Sequence, residues 1–370
     1  MSTERRRCWA EIDLGALRHN LRFAQEKIGA RAGVMAVVKA NAYGHGMPQV
    51  ATAIRDEVRM FGVANVAEAS TLRDALQSDF PDIFILGPAL AAEREEIVRQ
   101  RFIPAVSTVE EASAFATFRH GERVRLHLVI DTGMGRIGVW QDEAIPMARA
   151  IAQLADVELA GIATHLPVSD EDENFTTNQL AHFEEIVAEL RAAGIEAPDV
   201  HSLNSAGVLQ FSSHAQELVR AGLMLYGSSP VSAFQNKLQA VMTLKTRVTL
   251  VRDFAAGRGV SYGRTYITPH SMRIATLAVG YADGYPRRLS NTGAEVLLRG
   301  RRCAVLGRVT MDQIMIDVTH LPETNPGDEV VLMGRQGDDE IFAADLAKKA
   351  ETIAWEIFTG ISGRVERVYV

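Results

Sequence analysis

Between about residues 13 and 225 the chain alternates short apolar runs with longer stretches whose apolar residues recur every three or four positions. Asp13 is placed to cap a helix carrying Leu14, Leu17, Leu21, Ala24 and Ile28, with Gly29 and Gly33 bracketing its end. The apolar runs read as buried parallel strands at Val34–Lys39, Met60–Ala64, Ile83–Leu86, Ile103–Val106, Arg125–Ile130, Leu159–His165, Val200–Asn204 and Leu218–Gly222. Helix-like segments separate them, such as Gln179–Arg191 with Leu180, Phe183, Ile186, Val187 and Leu190 on one side. Eight strands with intervening helices predict an α/β fold, a (β/α)8 TIM-like barrel. An open doubly wound sheet is the alternative, but no GxGxxG follows the first strand.

After about residue 235 the pattern changes. Ala240–Val251, Arg273–Val279, Glu295–Leu298, Arg302–Leu306, Gln313–Val318 and Glu329–Met333 alternate or are β-branched, and turn residues part them. They predict a mainly antiparallel β domain, interrupted by a helix near Ala343–Ala350. The expected division is a barrel over 10–235 and a β domain over 236–370, with an N-terminal strand within 1–9, continuing through Cys8–Ile12, joining the β domain. The 370 residues suffice for a large core without staples. A net charge of −7 argues against nucleic-acid binding. Cys8 and Cys303 lack metal-ligand spacing, so no metal site is expected. No apolar run is long enough to span a membrane and the basic start lacks an apolar follow-on, which points to a cytoplasmic protein with no membrane partner.

Barrel active sites form at the carboxyl ends of the strands. The first strand ends at Lys39, where desolvation lowers an amine's pKa and suits it to a Schiff base, unless it is a lysine snorkelling to the rim. The fifth runs into DTGMGR, whose glycines present Arg136 as a carboxylate grip, or simply as a surface arginine on a turn. The sixth ends at His165, which as an ordinary core histidine needs no role. The seventh ends in Asn204-Ser205, an anion site by type or a plain helix cap. The eighth gives Arg220, Gly222 and Leu223, where many barrels hold phosphate. Jointly these describe a lysine facing a phosphate cradle, the requirement of pyridoxal 5'-phosphate.

The segment AVVKANAYGHG closely resembles the pyridoxal-phosphate motif of alanine racemases. IDTGMGRIG, THLPVSD, HSLNSAG, VRAGLMLYG, VSYGRTY, VGYADGYPRRL, GRVTMDQIMIDVT and SGRVERVY resemble further segments of that family, in family order. The resemblance implies an isomerase that interconverts L- and D-alanine by two-base proton transfer, supplying D-alanine for peptidoglycan of the cell wall. It also implies a homodimer whose sites each join one barrel to the partner's β domain. Lys39 would carry the cofactor and act as one base, and Tyr262, from the other subunit, as the opposite base. Arg220 would bond the pyridine nitrogen with His165 behind it, while Tyr43, Ser205, Gly222 and Leu223 hold the phosphate beside Asn204. Arg136 and the Met311 backbone would hold the substrate carboxylate, and Asp170 and Tyr281 would stand at the entrance.

Three departures stand out. Many family members carry lysine where this chain has Val129, so what orients Arg136 is open, an anion or water being one answer. Trp355 replaces a tyrosine, offering an indole N–H toward the phosphate. Leu166-Pro167 follows His165 in place of the usual pair. A broader-specificity amino-acid racemase acting on Ser, Lys or Arg is the alternative reading. A decarboxylase would place a carboxylate at the pyridine nitrogen, where this chain has Arg220, and a non-enzymatic cofactor-binding barrel would have no use for the β domain.

Overall fold

The computed structural model describes residues 6–370. The helix Leu14–Ile28 starts where the Asp13 carboxylate accepts from Ala16 N at 2.8 Å, as the capping pattern predicts. The barrel strands are β2 (Gly33–Val37), β3 (Met60–Val63), β4 (Asp82–Ile85), β5 (Ile103–Val106), β6 (Val124–Asp131), β8 (Val157–Ala163), β9 (Asp199–His201) and β10 (Leu218–Ala221). They follow β1 (Cys8–Ile12), and a short β7 (Val139–Trp140) extends the end of β6. All eight pair in parallel, and the β5–β6 and β10–β2 ladders close the ring. The expected barrel is therefore present, with most strand ends a residue or two earlier than the apolar runs.

Side chains alternate across each strand. On β6, Leu126, Leu128 and Ile130 pack outward into the helix-facing core, and Val129 faces the lumen. Met35, Met60, Phe84, Ile103, Ala105, Ala163 and Leu218 fill that lumen with it. The same parity turns His127 of β6, Asp199 and His201 of β9, and Arg220 of β10 inward, where all four are buried.

The second unit is built from β11 (Met242–Phe254), β14 (Met272–Leu277), β15 (Glu295–Leu298), β16 (Arg301–Leu306), β17 (Ile314–Asp317) and β18 (Glu329–Gln336). Two small strands, β12 (Gly259–Val260) and β13 (Tyr266–Ile267), form a separate hairpin. The β domain is antiparallel as expected, and it also closes. The early part of β11 pairs with β18, its later part with β14, and register shifts in both ladders let one strand serve two partners. β19 (Asp339–Ile341) edges β18, while β1 lies antiparallel on β11 and receives β20 (Glu366–Tyr369) in parallel. Cys8–Ile12 thus sits in the β-domain sheet; residues 1–5 of the expected N-terminal strand lie outside the described residues.

The two units meet at the segment after Lys39. Arg367 Nε donates to Gly44 O at 2.9 Å, and Tyr369 Oη bonds Gln49 Oε1 at 3.0 Å. At Gly44 (φ +80°) an added Cβ would lie 2.3 Å from Phe358 O, so only glycine allows this approach.

Candidate active site

Lys39 opens a turn in which Ala40, Asn41, Ala42 and Tyr43 all have φ between 50° and 55°. The left-handed region costs a non-glycine residue about 1–2 kcal/mol, so four in a row persist only under outside support. That support is visible. Asn41 Oδ1 accepts from Met47 N at 2.8 Å, and Asn41 O from Gly46 N at 2.9 Å. Glu68 accepts Ala40 N and Ala64 N, one on each carboxylate oxygen, both at 2.8 Å. The turn brings Lys39 and Tyr43 to the same cavity. Burial, then the charges of Arg136 and Arg220, hold the Lys39 amine below its ordinary pKa, with Glu68 opposing. Burial pushes the Tyr43 phenol up to about 12, so it stays a donor.

Arg220 stands inside the barrel with no carboxylate in ion-pair reach among the described residues. Its guanidinium donates to Thr164 O at 2.7 Å, Ser202 O at 2.8 Å and His201 O at 2.9 Å. It also meets His201 Nδ1 at 2.6 Å and His165 Nδ1 at 3.2 Å. Burial pushes its pKa down to about 10. Burial likewise pushes His165 and His127 down to about 3, with Arg220 among the charges that assist, and holds His201 well below its usual range.

These depressed values set a pH limit. His45, His127 and His201 are fully buried and neutral when folded. In the unfolded chain they protonate below about pH 6.5, so their contribution to stability is intact above that pH and is lost as pH falls. Each should cost about 2 kcal/mol at pH 5. Urea unfolding at pH 7 and pH 5 checks this, and equal midpoints would refute it.

Ser205 opens a short helix after β9, capped by Asn204, whose Oδ1 accepts from Gly207 N at 2.9 Å. Asn204 also bonds Ser169 and Leu166 O, so it braces the loop below the cavity it lines. Ser205 Oγ accepts from Gly222 N at 3.0 Å and Met224 N at 3.3 Å. A Cβ on Gly222 would lie 2.7 Å from Tyr43 Oη. Ser205, Gly222, Leu223 and Tyr43 therefore enclose one corner of the cavity. Gly222→Ala should fill that corner and weaken binding of pyridoxal phosphate at least about tenfold, or 1.4 kcal/mol, in an absorbance titration.

On the opposite wall Asp131 ends β6 and folds the following turn. Its carboxylate accepts from Gly133, Met134, Gly135 and Arg136 amides at 2.9–3.2 Å. These bonds hold the Asp131 carboxyl below its usual pKa against the effect of burial. They aim Arg136 into the cavity through the backbone alone. Val129 lines the wall behind it and offers no polar group. Trp355, His165, Pro167 and Asp170 also line the cavity. Its volume is about 440 Å³, within the range of small-ligand sites.

Three residues singled out in the sequence are elsewhere. Tyr262 is 71% exposed, Met311 53% and Tyr281 42%, and none lines the Lys39 cavity. They share one face of the β domain. Ser261 Oγ bonds Arg308 O at 2.7 Å, and Tyr281 N and Ala282 N bond Thr310 O and Met311 O at 3.0 Å. Conversely, sequence reasoning passed over Glu68, His127 and His201. Asn65, capping Glu68 N three residues on, was a local signal for the first. Strand parity was the signal for the other two.

The model for "Alanine racemase, N-terminal domain" matches residues 12–230, and that for "Alanine racemase, C-terminal domain" matches 241–369. An alanine racemase of Symbiobacterium thermophilum is 46% identical over 369 residues, covering 98% of this chain and 96% of that protein. The solved alanine racemase of Clostridium difficile 630 superposes with a TM-score of 0.92 at 32% identity, covering 99% of this chain and 96% of that one. That of Bartonella henselae, solved with covalently bound pyridoxal phosphate, gives 0.89 at 28% identity, covering 99% and 100%. The chain belongs to the alanine racemase family.

Proposed function

We propose that this protein interconverts L-alanine and D-alanine with pyridoxal phosphate, as a pyridoxal-phosphate-dependent isomerase. The observation that carries this reading is the convergence of a low-pKa lysine, a carboxylate-free arginine and a hydroxyl–amide corner on one cavity in a chain of this family. The residues fit the cofactor. Gly222 leaves a corner that a single methyl would fill, lined by Ser205 and the high-pKa Tyr43 donor, which suits a phosphate. Arg220 Nε has no bond to any described residue while both Nη atoms are engaged, which suits a ring nitrogen.

When bound, pyridoxal phosphate supplies the electron sink that lets Cα give up its proton. The chain supplies the rest. Lys39, bearing a lowered pKa, holds the cofactor and moves a proton at Cα from one side. Arg136 grips the substrate carboxylate, with the Met311 backbone of the partner chain, in the shared-site arrangement argued below, beside it. Arg220 can only donate, so it would hold the ring nitrogen as an acceptor and leave it unprotonated. His165 backs Arg220, and Trp355 narrows the wall, which favours a methyl-sized side chain over the broader-specificity alternative. Asp170 of one chain and Tyr281 of the other frame the entrance in the same arrangement.

The second base, Tyr262, is exposed on the β domain rather than set in its own chain's cavity. We therefore read the working unit as a homodimer with shared sites, the barrel of 10–235 in one chain facing the β domain of 236–370 in the other. No helix among the described residues is long and apolar enough to cross a membrane. We place the enzyme in the cytoplasm, supplying D-alanine for peptidoglycan. The test is polarimetry. L-alanine with holoenzyme should lose its rotation to zero, and unchanged rotation at matched cofactor loading would refute the proposal.

A further inference from the structure

Arginine has no acceptor, so its bond to His201 fixes a direction of donation. His201 Nδ1 must accept from Arg220 at 2.6 Å, which leaves the proton on His201 Nε2. That nitrogen lies 2.9 Å from His127 Nδ1, which must in turn accept, leaving the proton on His127 Nε2. Among the described residues His127 Nε2 has no hydrogen-bond partner, and Asp199 Oδ2 stands 3.9 Å from it. Asp199 is itself paired with Arg59. The barrel is shaped around this line. An added Cβ at Gly161 would lie 2.6 Å from the His127 ring, and Phe84 stacks on that ring at 4.7 Å. One donor chain thus runs from Arg220 through His201, which lines the cavity, to His127 deeper in the lumen.

We propose that His127 is a positioning residue for Arg220, acting through His201. By accepting from His201 Nε2 it fixes the His201 tautomer, and that tautomer offers Arg220 the acceptor that turns its Nε toward the cavity. The relay rests on the racemase reading only for what Arg220 then does.

The test uses holoenzyme with 15N-labelled histidine in three forms: wild type, His127→Phe and His127→Asn. Asparagine can place an amide oxygen near the Nδ1 position and still accept; phenylalanine keeps the ring and cannot. In wild type His201 should show a pyrrole-like Nε2 and a pyridine-like Nδ1. His127→Phe should lose this fixed pattern, lower kcat about tenfold with KM for alanine little changed, and shift the cofactor's visible absorption. His127→Asn should stay near wild type in all three readouts. The opposite His201 tautomer in wild type, or identical behaviour of the two variants, overturns the proposal. If the phenylalanine variant does not fold, the wild-type tautomer and the asparagine variant still decide it. Wild-type enzyme silent on alanine would count against the racemase reading alone, since the nitrogen signals remain measurable.

Discussion

Lys39→Ala is expected to lower alanine racemisation by at least about a thousandfold, because on the proposed mechanism one substitution would remove both the attachment point of the cofactor and a proton-transfer group worth about 10²–10⁴. The position has no understudy. Among the described residues no other lysine lines the cavity. Two measurements check this. Polarimetry should show residual activity near background, and borohydride should bleach wild type onto the chain, seen by mass, but leave the variant unmodified. A variant retaining a tenth of wild-type activity would remove Lys39 from the chemistry.

The second large effect is at Tyr262, where loss of the phenol oxygen should cost about 10²–10⁴-fold in turnover. Its place on the β-domain surface makes a sharper experiment available. Chains carrying Lys39→Ala and chains carrying Tyr262→Phe, each nearly inactive alone, should regain activity when dissociated and reassembled together. In a mixed dimer one site collects both defects and the other neither. Random pairing then returns about a quarter of wild-type activity. If Tyr262 instead served its own chain's Lys39, every site would carry one defect and mixing would restore nothing.

Much of the fold was legible because a parallel barrel writes each strand as an uninterrupted apolar run, and the ends of those runs carried Lys39, Arg136, Ser205 and Arg220. The turn after Lys39 was not legible. Asn41 tolerates a left-handed backbone but Ala40 and Ala42 do not favour one, and the contacts that hold the turn come from Glu68, Met47 and, through Gly44, Arg367. The closure of the β domain was hidden for a similar reason. It depends on β11 changing partners midway, at register shifts that an alternating pattern does not mark. His127 and His201 were present in the text yet unremarkable, because an imidazole inside a barrel gains meaning only from the neighbour across the lumen.

Both ends of the described chain lie in a single sheet. Val370 N bonds Ile12 O at 2.9 Å, Leu14 N bonds Val370 O at 3.1 Å, and residues 9–12 run in register with 366–369. During synthesis the barrel strands are all made by residue 221, but β1 waits for its neighbour β20 until residues 366–369 have been added. A chain lacking residues 366–369 would leave that side of β1 as an open edge, a template on which another chain can pair. The same adjacency makes the old ends joinable. A circular permutant linked across residues 6 and 370 and opened in an exposed loop should keep its fold.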